Sequence, residues 1–455
     1  MTFSDYIDYL HGKRIGVIGF GVSNQPLVRV LLRNGCDVTV CDRRERAQLG
    51  AAGDEAAAQG AKFALGADYL EHLDFDVIFR TPGVLPIVPQ LRKAAQNGAI
   101  LTSEMEAFCN LCPCRILAIT GSDGKTTTST ITAELLRAQG YTVHLGGNIG
   151  TPLFDRIPDI RPDDFSVLEL SSFQLHSMHC APDVAIITNI SPNHLDVHPD
   201  FEDYVSAKCS IYRGQRPDGV LVLNARDAHT PRFAAEAPGS VRYFSSIGPV
   251  ENGVYCSDGV IYRAHGGKAE KLIDVSDIRI PGAHNVENYM AAFAAIDGLV
   301  GQAACVQVAR SFAGVPHRME RIRELNGITF INDSIASSPT RTIAGLHALR
   351  QKPILIAGGY DKHIPFDKLG DEICRHVKAL FLTGFTAEKI YDAVTKSPLY
   401  DCRSGRSTIS ARRCLPPPRA RRRGISCCFL RLARRLTISK TLWNAAKLSA
   451  PSLTN

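Results

Sequence analysis

A glycine loop between an apolar strand and a helix constrains the fold of this chain more than any other stretch. Residues 115–130 read RILAITGSDGKTTTST, a short apolar run followed by two glycines, Lys125, Thr126 and a helix-forming segment. Glycines let backbone N–H groups approach phosphates, and the start of the helix adds positive potential. The order predicts a nucleotide triphosphate site in which Lys125 neutralises the outer phosphates and the Thr126 hydroxyl ligates Mg²⁺. A tight turn with a solvated lysine is the alternative.

Length and charge narrow the class of protein further. A chain of 455 residues suggests about three domains. Residues 401–455 hold 13 Lys and Arg but one acid, so residues 1–400 carry 39 basic and 44 acidic residues, a net charge of −5. A mildly acidic body gives no support for a nucleic-acid partner. No apolar run approaches the ~20 residues of a membrane span, and the N-terminus lacks a signal-peptide hydrophobic region, so we expect a cytoplasmic protein.

A second glycine loop lies near the N-terminus. The strand at 14–19 runs into Gly19-Phe20-Gly21-Val22-Ser23-Asn24, and the next strand ends in Asp42-Arg43. This pattern is typical of a dinucleotide-type βαβ unit. Asn24 stands where the third glycine would be, which argues against an NAD-dependent dehydrogenase but still allows a nucleotide diphosphate site. Thr81-Pro82-Gly83 follows a further strand, at the position where open α/β sheets bind ligands.

Polar residues also stand at strand ends in the middle of the chain. Glu169 ends an apolar strand, where an unpaired carboxylate is costly, so we expect a metal or a basic partner, or an edge strand that faces water. His194 follows the next apolar strand. We expect Glu169, His194 and Thr126 to converge as Mg²⁺ ligands, with a surface histidine as the alternative. Asn285 and Asn288 share a helical face and could reach a base or ribose.

Apolar strands with polar ends recur after residue 316, at Asp333-Ser334 and at Gly358 to Lys362. The whole pattern predicts an α/β protein of three domains: a Rossmann-like domain at 1–112, a central P-loop ATPase-type parallel sheet at 113–315 and a Rossmann-like C-terminal domain at 316–400, incomplete after about residue 400.

Seven motifs occur in one order: TGSDGKTTT, GGNIG, ELSSFQL, NISPNHLD, GAHNVEN, HRME and NDSIASS. Over residues 1 to about 400 the chain resembles the Mur ligase family, ATP-dependent amide-forming enzymes of peptidoglycan precursor synthesis. The N-terminal glycine loop, SEMEAF and GGYDK resemble the member that adds D-glutamate. The resemblance implies ATP, Mg²⁺, UDP-N-acetylmuramoyl-L-alanine and D-glutamate as ligands, an acyl-phosphate intermediate and a role in cell-wall growth, cell shape and division. We expect a monomer.

The resemblance also implies a role for each site residue. The UDP end would contact Gly19, Gly21, Ser23, Asp42, Arg43, Thr81, Pro82 and Gly83. The ATP phosphates would contact Gly121, Ser122, Asp123, Gly124, Lys125, Thr126 and Thr127. Adenosine and phosphate would be held by Asn285, Asn288, Arg318 and Asp333, the muramoyl-alanine part by Asn148 and Ser171, and D-glutamate by Ser337 and Lys362. The catalytic set would be Lys125, Lys208, His194 and Glu169, with Mg²⁺ on Thr126, Glu169, His194 and a carbamylated Lys208. Ile335 departs from the lysine that many members have there.

The tail at 401–455 departs from the family. It shows little helical or strand periodicity and lacks the SPACASFD-like loop that the resemblance implies near the end. Synonymous codons for Phe429 through Thr437 contain a second frame that encodes Ser-Pro-Ala-Cys-Ala-Ser-Phe-Asp. We therefore predict a frameshift between about 395 and 425, and impaired ligase activity with intact ATP and UDP sites. A basic, Pro-rich linker is the alternative.

Two competing functions stay open. One is another amide ligase of the same family, such as the L-alanine-adding member or a folylpolyglutamate synthase. The other is a non-catalytic protein that binds a nucleotide or UDP-sugar. Measuring phosphate release with a panel of amino acids distinguishes the amide ligases from one another. Binding of ATP and a UDP-sugar without formation of an amide product would indicate the non-catalytic protein.

Overall fold

The computed structural model describes residues 1–325, 327–361 and 364–400, and the backbone of two further strands, Thr408–Ile409 and Cys427–Arg431. The chain divides into two compact units. The first unit comprises Met1–Ser191, Asp200–Arg279 and Val286–Phe312, and the second comprises Pro192–Pro199, Ile280–Asn285 and the chain from Ala313 onward. The domain boundaries at 112, 315 and 400 stay predictions.

The first sheet has five strands, all parallel, in the order β3-β2-β1-β4-β5. These strands are β1 Arg14–Ile18, β2 Asp37–Asp42, β3 Lys62–Leu65, β4 Val77–Arg80 and β5 Ile100–Thr102. β1 lies between β2 and β4, so the strand order reverses there. The loops after β1 and β4 therefore meet at the edge where such sheets bind ligands.

The central sheet has nine strands in the order β14-β13-β12-β11-β10-β9-β6-β8-β7. They are β6 Arg115–Thr120, β7 Val143–Gly147, β8 Phe165–Glu169, β9 Val184–Ile187, β10 Val220–Asn224, β11 Ser240–Ser245, β12 Gly253–Ser257, β13 Val260–His265 and β14 Lys268–Asp274. The prediction of a parallel sheet is confirmed for the seven neighbouring strands from β12 to β7, whereas at the other edge β13 is antiparallel to both of its neighbours. Short hairpin connections join β12, β13 and β14, and such connections force the antiparallel arrangement.

Helices cover these two sheets. They are α1 Phe3–Leu10, α2 Asn24–Arg33, α3 Gly50–Ala58, α4 Pro89–Gln96, α5 Glu104–Leu111, α6 Lys125–Gln139, α7 Ser172–Leu175, α8 Phe201–Arg213, α9 Thr230–Glu236, α10 Ala283–Ala295 and α11 Gln302–Ser311. Short 3₁₀ turns occur at Arg46–Gln48, Phe154–Asp159 and Val275–Asp277. No helix in the described part of the chain is long and apolar enough to cross a bilayer.

The third sheet lies in the second unit and has the order β15-β16-β20-β17-β18-β19. Its elements are β15 Glu320–Leu325, β16 Ile328–Asp333, α12 Pro339–His347, β17 Ile354–Gly359, α13 Asp367–His376, β18 Ala379–Gly384, α14 Ala387–Thr395, β19 Thr408–Ile409 and β20 Cys427–Arg431. β15 and β20 are antiparallel to their neighbours, so this sheet is mixed as well.

The tail contains regular structure that its sequence did not lead us to expect. β20 pairs with both β16 and β17. Its sequence, CCFLR, is a short run with four apolar residues, which suits a strand inside a sheet once neighbours are available on both sides. The tail, which shows little strand periodicity in its sequence, therefore does contain strands at 408–409 and 427–431. Most of the interval 395–425 in which the frameshift is predicted lies outside the residues that the structure describes, and the frameshift stays a prediction.

Candidate active site

The phosphate loop follows β6, as predicted, and α6 begins at Lys125. Gly121 and Gly124 have φ values of 141° and 83°, a region that L residues rarely adopt. A β-carbon at Gly121 would collide with the Thr188 side chain, and one at Gly124 would collide with Asn288. Both glycines are therefore required by the backbone and by their neighbours.

The segment after β9 fixes the shape of this loop. Ser122 N donates to Asn189 O at 2.9 Å, and Asp123 N donates to Asn189 Oδ1 at 2.9 Å. Ser122 Oγ lies 2.9 Å from Tyr204 Oη and also donates to Ser191 O at 2.9 Å. These bonds hold the loop in one conformation at the N-terminus of a 15-residue helix, which is the arrangement that binds phosphate.

Two lysines converge on the same loop carbonyl. Lys125 Nζ donates to Gly121 O at 2.9 Å and to Ser122 O at 3.1 Å. Lys208 Nζ, from α8, donates to Gly121 O at 2.8 Å and lies 4.6 Å from the centre of the Tyr204 ring. Burial and, secondarily, the charge of Lys125 lower the pKa of Lys208 well below its ordinary value. The result is a buried amine that gives up its proton readily.

Glu169 is buried at the end of β8, with 2% of its surface exposed. β8 lies between β6 and β7, so the alternative of an edge strand facing water is wrong. Asn148 Nδ2 donates to Glu169 Oε1 at 2.9 Å. Glu169 Oε2 is buried and has no hydrogen-bond partner within the described residues. A buried carboxylate oxygen without a donor suits a cation as ligand.

Four more of the predicted site residues lie in α6 and α10 or at the start of α7. Ser171 caps α7, accepting from Gln174 N at 3.3 Å and donating to Gln174 Oε1 at 2.9 Å. Thr128 Oγ1, one turn into α6, donates to Asn288 Oδ1 at 3.2 Å, so Asn288 reaches the phosphate-loop helix. Thr126 and Thr127 are buried in the first turn of α6.

His194 belongs to the second unit and has a positive φ of 58°. Its backbone N donates to Asn193 Oδ1 at 3.0 Å. Lys125 and Glu169 belong to the first unit. The predicted convergence of His194 with Glu169 on one metal ion therefore stays a prediction.

The two predicted loops of the first sheet come together. A β-carbon on Gly19 would lie 2.7 Å from Thr81 Cγ2, so the loops after β1 and β4 are in close contact. Asn24 Nδ2 donates to Gly19 O at 2.8 Å and to Ile18 O at 3.2 Å. Asn24 therefore replaces the third glycine of the fingerprint with a side chain that closes the end of β1.

The Asp42 carboxylate accepts hydrogen bonds from residues in the loops that follow β1 and β2 of the first sheet. Its Oδ2 accepts from Phe20 N at 2.7 Å, and its two oxygens accept from the Arg44 guanidinium at 2.8 and 3.0 Å. Arg43, which was predicted to contact ligand, is exposed. Asp42 thus holds the glycine loop, and its partner Arg44 was not among the predicted residues.

Arg80 is a second residue that the sequence analysis missed. It is 1% exposed at the end of β4. Its guanidinium donates to Ser177 Oγ at 2.8 Å and to the carbonyls of Phe173 at 3.0 Å and Val84 at 3.3 Å. Arg80 therefore joins the loop after β4 of the first sheet to α7, which follows β8 of the central sheet.

The remaining predicted residues lie in the second unit. Asp333 is buried at the end of β16, where it accepts from Met319 N at 3.1 Å, and burial raises its pKa to about 6. Asn285 Nδ2 donates to Pro281 O at 2.6 Å. Arg318 N donates to Val315 O at 3.2 Å, and Ser337 is half-buried. Lys362 lies outside the described residues.

The strand, glycine loop and helix of the central sheet place this chain among α/β proteins that bind nucleotide phosphates. Comparison with known families narrows that class. A model described as Mur ligase middle domain matches residues 119–296, and one described as Mur ligase, glutamate ligase domain matches residues 317–413.

Relatives agree with these models. A UDP-N-acetylmuramoylalanine–D-glutamate ligase of Acetivibrio thermocellus is 48% identical over 388 residues, 85% of this chain and 83% of the relative. The enzyme of the same name from Ruminiclostridium cellulolyticum is 48% identical over 382 residues, 84% of this chain and 82% of the relative. The chain therefore belongs to the Mur ligase family and is an ATP-dependent, amide-forming ligase.

Solved structures show the same fold at low identity. A UDP-N-acetylmuramate–alanine ligase from Thermotoga maritima aligns with a TM-score of 0.54 at 18% identity, over 88% of this chain and 91% of that one. MurF from Acinetobacter baumannii aligns with a TM-score of 0.54 at 19% identity, over 87% of this chain and 82% of that one. None of these comparisons supports impaired activity or the non-catalytic alternative.

Proposed function

We propose that this ligase joins D-glutamate to UDP-N-acetylmuramoyl-L-alanine at the expense of ATP. The relatives named for that reaction support the choice of substrates. Within the molecule, the observation that carries the proposal is the convergence of Lys125 and Lys208 on Gly121 O at the start of α6. The Lys125 ammonium beside the phosphate loop can neutralise a polyanion, and Lys208 reaches the same carbonyl as a buried amine whose pKa is lowered.

The reaction follows from that arrangement. A carboxylate oxygen of the alanyl group attacks the γ-phosphorus of ATP, the bond to the β,γ-bridging oxygen breaks, and ADP leaves with the electron pair. The loop amides and Lys125 stabilise the charge that spreads over the transferred phosphoryl group. The amine of D-glutamate then attacks the acyl carbon, loses a proton, and inorganic phosphate leaves. Exclusion of water protects the acyl phosphate between the two steps.

Mg²⁺ is part of the proposal. The buried, partnerless Glu169 Oε2 fits a hard cation, and the Thr126 hydroxyl would be a second oxygen ligand. Bound Mg²⁺ would supply Lewis-acid stabilisation of phosphate charge. His194 and a carbamate on Lys208 would complete the ligands. Asn148, which donates to Glu169 Oε1, would orient the carboxylate.

The surroundings of Lys208 support carbamylation. An amine must be unprotonated to attack CO₂, and burial beside Lys125 disfavours the ammonium form of Lys208. The N–C bond forms as the amine loses a proton, and the product is a carbamate anion. Carbamylation thereby places a negative charge beside Lys125, at a position where burial and the Lys125 charge disfavour a positive one.

The remaining contacts are those that the resemblance to the family implies. The close loops after β1 and β4 would hold the UDP end. Adenosine and phosphate would lie against Asn285, Asn288, Arg318 and Asp333. Asn148 and Ser171 would face the muramoyl-alanine part, and Ser337 and Lys362 the incoming D-glutamate. ATP and UDP-linked substrates are made in the cytoplasm, so a cytoplasmic location is part of the proposal. A monomeric state is a separate part of it.

A steady-state assay tests the substrate assignment. The full chain with ATP, Mg²⁺ and UDP-N-acetylmuramoyl-L-alanine should release phosphate and form amide product with D-glutamate, but not with L-alanine or L-glutamate. Lys125→Met should reduce turnover at least about 100-fold, because a preorganised charge stabiliser is lost. Lys93→Met, on the exposed side of α4, is the matched control and should leave turnover unchanged. Equal activity with L-alanine would overturn the assignment.

A further inference from the structure

Two helices of the second unit end at the same place with metal-binding side chains. His347 is the last residue of α12, and His376 is the last residue of α13. Glu372 lies one turn before His376. Its Oε2 is 2.5 Å from His347 Nε2 and 3.3 Å from His376 Nε2. The three ligand atoms, all of types that bind transition metals, therefore lie within 4.8 Å of one another.

The spacing of these atoms suits zinc. Two ligands bound about 2.0–2.1 Å from a tetrahedral Zn²⁺ lie about 3.3 Å apart, which is the separation between Glu372 Oε2 and His376 Nε2. His347 must move back by under about 1 Å, and its side chain is 52% exposed at a helix end, where it has room to do so.

Two further features favour a cation at this point. The last turns of α12 and α13 both direct their carbonyl ends here, and helix C-termini attract positive charge. Arg375 NH1 donates to Glu372 Oε1 at 2.7 Å, whereas Glu372 Oε2 is the oxygen near the two imidazoles. Such a bond orients a ligating carboxylate.

We propose that His347, Glu372 and His376 form a binding site for one Zn²⁺ ion, with solvent as the fourth ligand. The site lies at the edge of the third sheet where β17 and β18 begin, whereas Asp333 and Gly359 stand where strands end. It is therefore separate from the proposed ligase site, and it crosslinks α12 to α13.

Zinc titration of the full chain tests the proposal. Isothermal titration with ZnCl₂ alone should show one more equivalent bound by the wild type than by H347Q/H376Q. Each single variant, H347Q or H376Q, should weaken that site at least about 100-fold, since removing a ligand should cost no less than removing a residue that orients one. Arg375→Ala should weaken it roughly 10-fold.

Co²⁺ provides the geometric test. The wild type should show the visible absorption of a four-coordinate Co²⁺ complex, reversed by excess Zn²⁺, and the double variant should lack it. His265→Gln is the control, because His265 is exposed and pairs with a single carboxylate, Asp297, at 3.5 Å. Urea unfolding without metal shows whether each variant is folded. If the folded double variant binds as many equivalents as the wild type, or His265→Gln loses the site, the proposal is overturned.

Discussion

Replacement of Asp42 by asparagine should lower the free energy of unfolding, because the hydrogen bonds of the Asp42 carboxylate stabilise the first sheet. The Asp42 carboxylate accepts from Phe20 N and from the backbone and guanidinium of Arg44. Burial acts to raise the pKa of Asp42, but the hydrogen bonds from Arg44 and Phe20 outweigh it and lower the pKa to about 2. Asparagine keeps the shape of the side chain and loses the charge.

The magnitude follows from linkage. The pKa of Asp42 falls from 3.8 in the unfolded chain to about 2 in the folded one, a difference worth about 2.4 kcal/mol of unfolding free energy at 1.36 kcal/mol per unit. Because the folded pKa is the lower one, this stability is present above about pH 5 and is lost as the pH falls towards 2. Roughly half of it should remain at pH 3.

Urea denaturation of wild type and Asp42→Asn at pH 7 and pH 3 measures the loss of unfolding free energy at each pH. Hydrogen exchange at the Phe20 amide reports the lost bond locally. Asp37→Asn, on the same strand, is the matched control, because Asp37 pairs with Lys62 at 2.8 Å in an exposed ion pair worth less than about 1 kcal/mol. The reasoning fails if Asp42→Asn costs no more than Asp37→Asn, or if its cost does not shrink at pH 3.

Three further variants test other contacts. Arg80→Met should lower the unfolding free energy by roughly 3 kcal/mol, because several partly buried acceptors lose the donor that a buried guanidinium supplies; in urea denaturation the exposed Arg92→Met should change it by less than about 0.5 kcal/mol, and equal effects would refute this. Asn148→Ala should raise the Mg²⁺ concentration for half-maximal turnover roughly 10–100-fold, because Glu169 loses its orienting donor; an unchanged Mg²⁺ titration would count against it. Asp333→Asn should stabilise the chain by up to about 3 kcal/mol at pH 7.5 and by almost nothing at pH 3, because burial raises the folded pKa to about 6 and ionisation then opposes folding; urea unfolding at both pH values measures the gain, and an equal gain at the two would contradict it.

The phosphate loop could be predicted because its structure is locally encoded. The apolar run before Thr120, the positive φ of Gly121 and Gly124 and the helix from Lys125 all depend on neighbours within a few residues. The same holds for the strands of the third sheet, whose bounds at Ile328–Asp333 and Ala379–Gly384 agree with the sequence pattern.

The long-range contacts could not be predicted in the same way. Arg80 looks like any charged residue at the end of an apolar strand, and its acceptor Ser177 lies 97 positions further along the chain. The surroundings of Glu169 depend on strand order, since only the position of β8 between β6 and β7 excludes an edge strand. Pairing across the sheet also explains why β20 was missed, because this short strand pairs with β16 and β17, which lie far earlier in the chain.

The central claim is that the loop at Gly121 gathers Lys125, Lys208 and Glu169 around a polyphosphate so that a carboxylate becomes an acyl phosphate. Isotope transfer tests it most directly. UDP-N-acetylmuramoyl-L-alanine labelled with ¹⁸O in its alanyl carboxylate is turned over with ATP and D-glutamate, and the inorganic phosphate is analysed by mass spectrometry. The account predicts one ¹⁸O atom in each phosphate released. Amide product accompanied by unlabelled phosphate would contradict it.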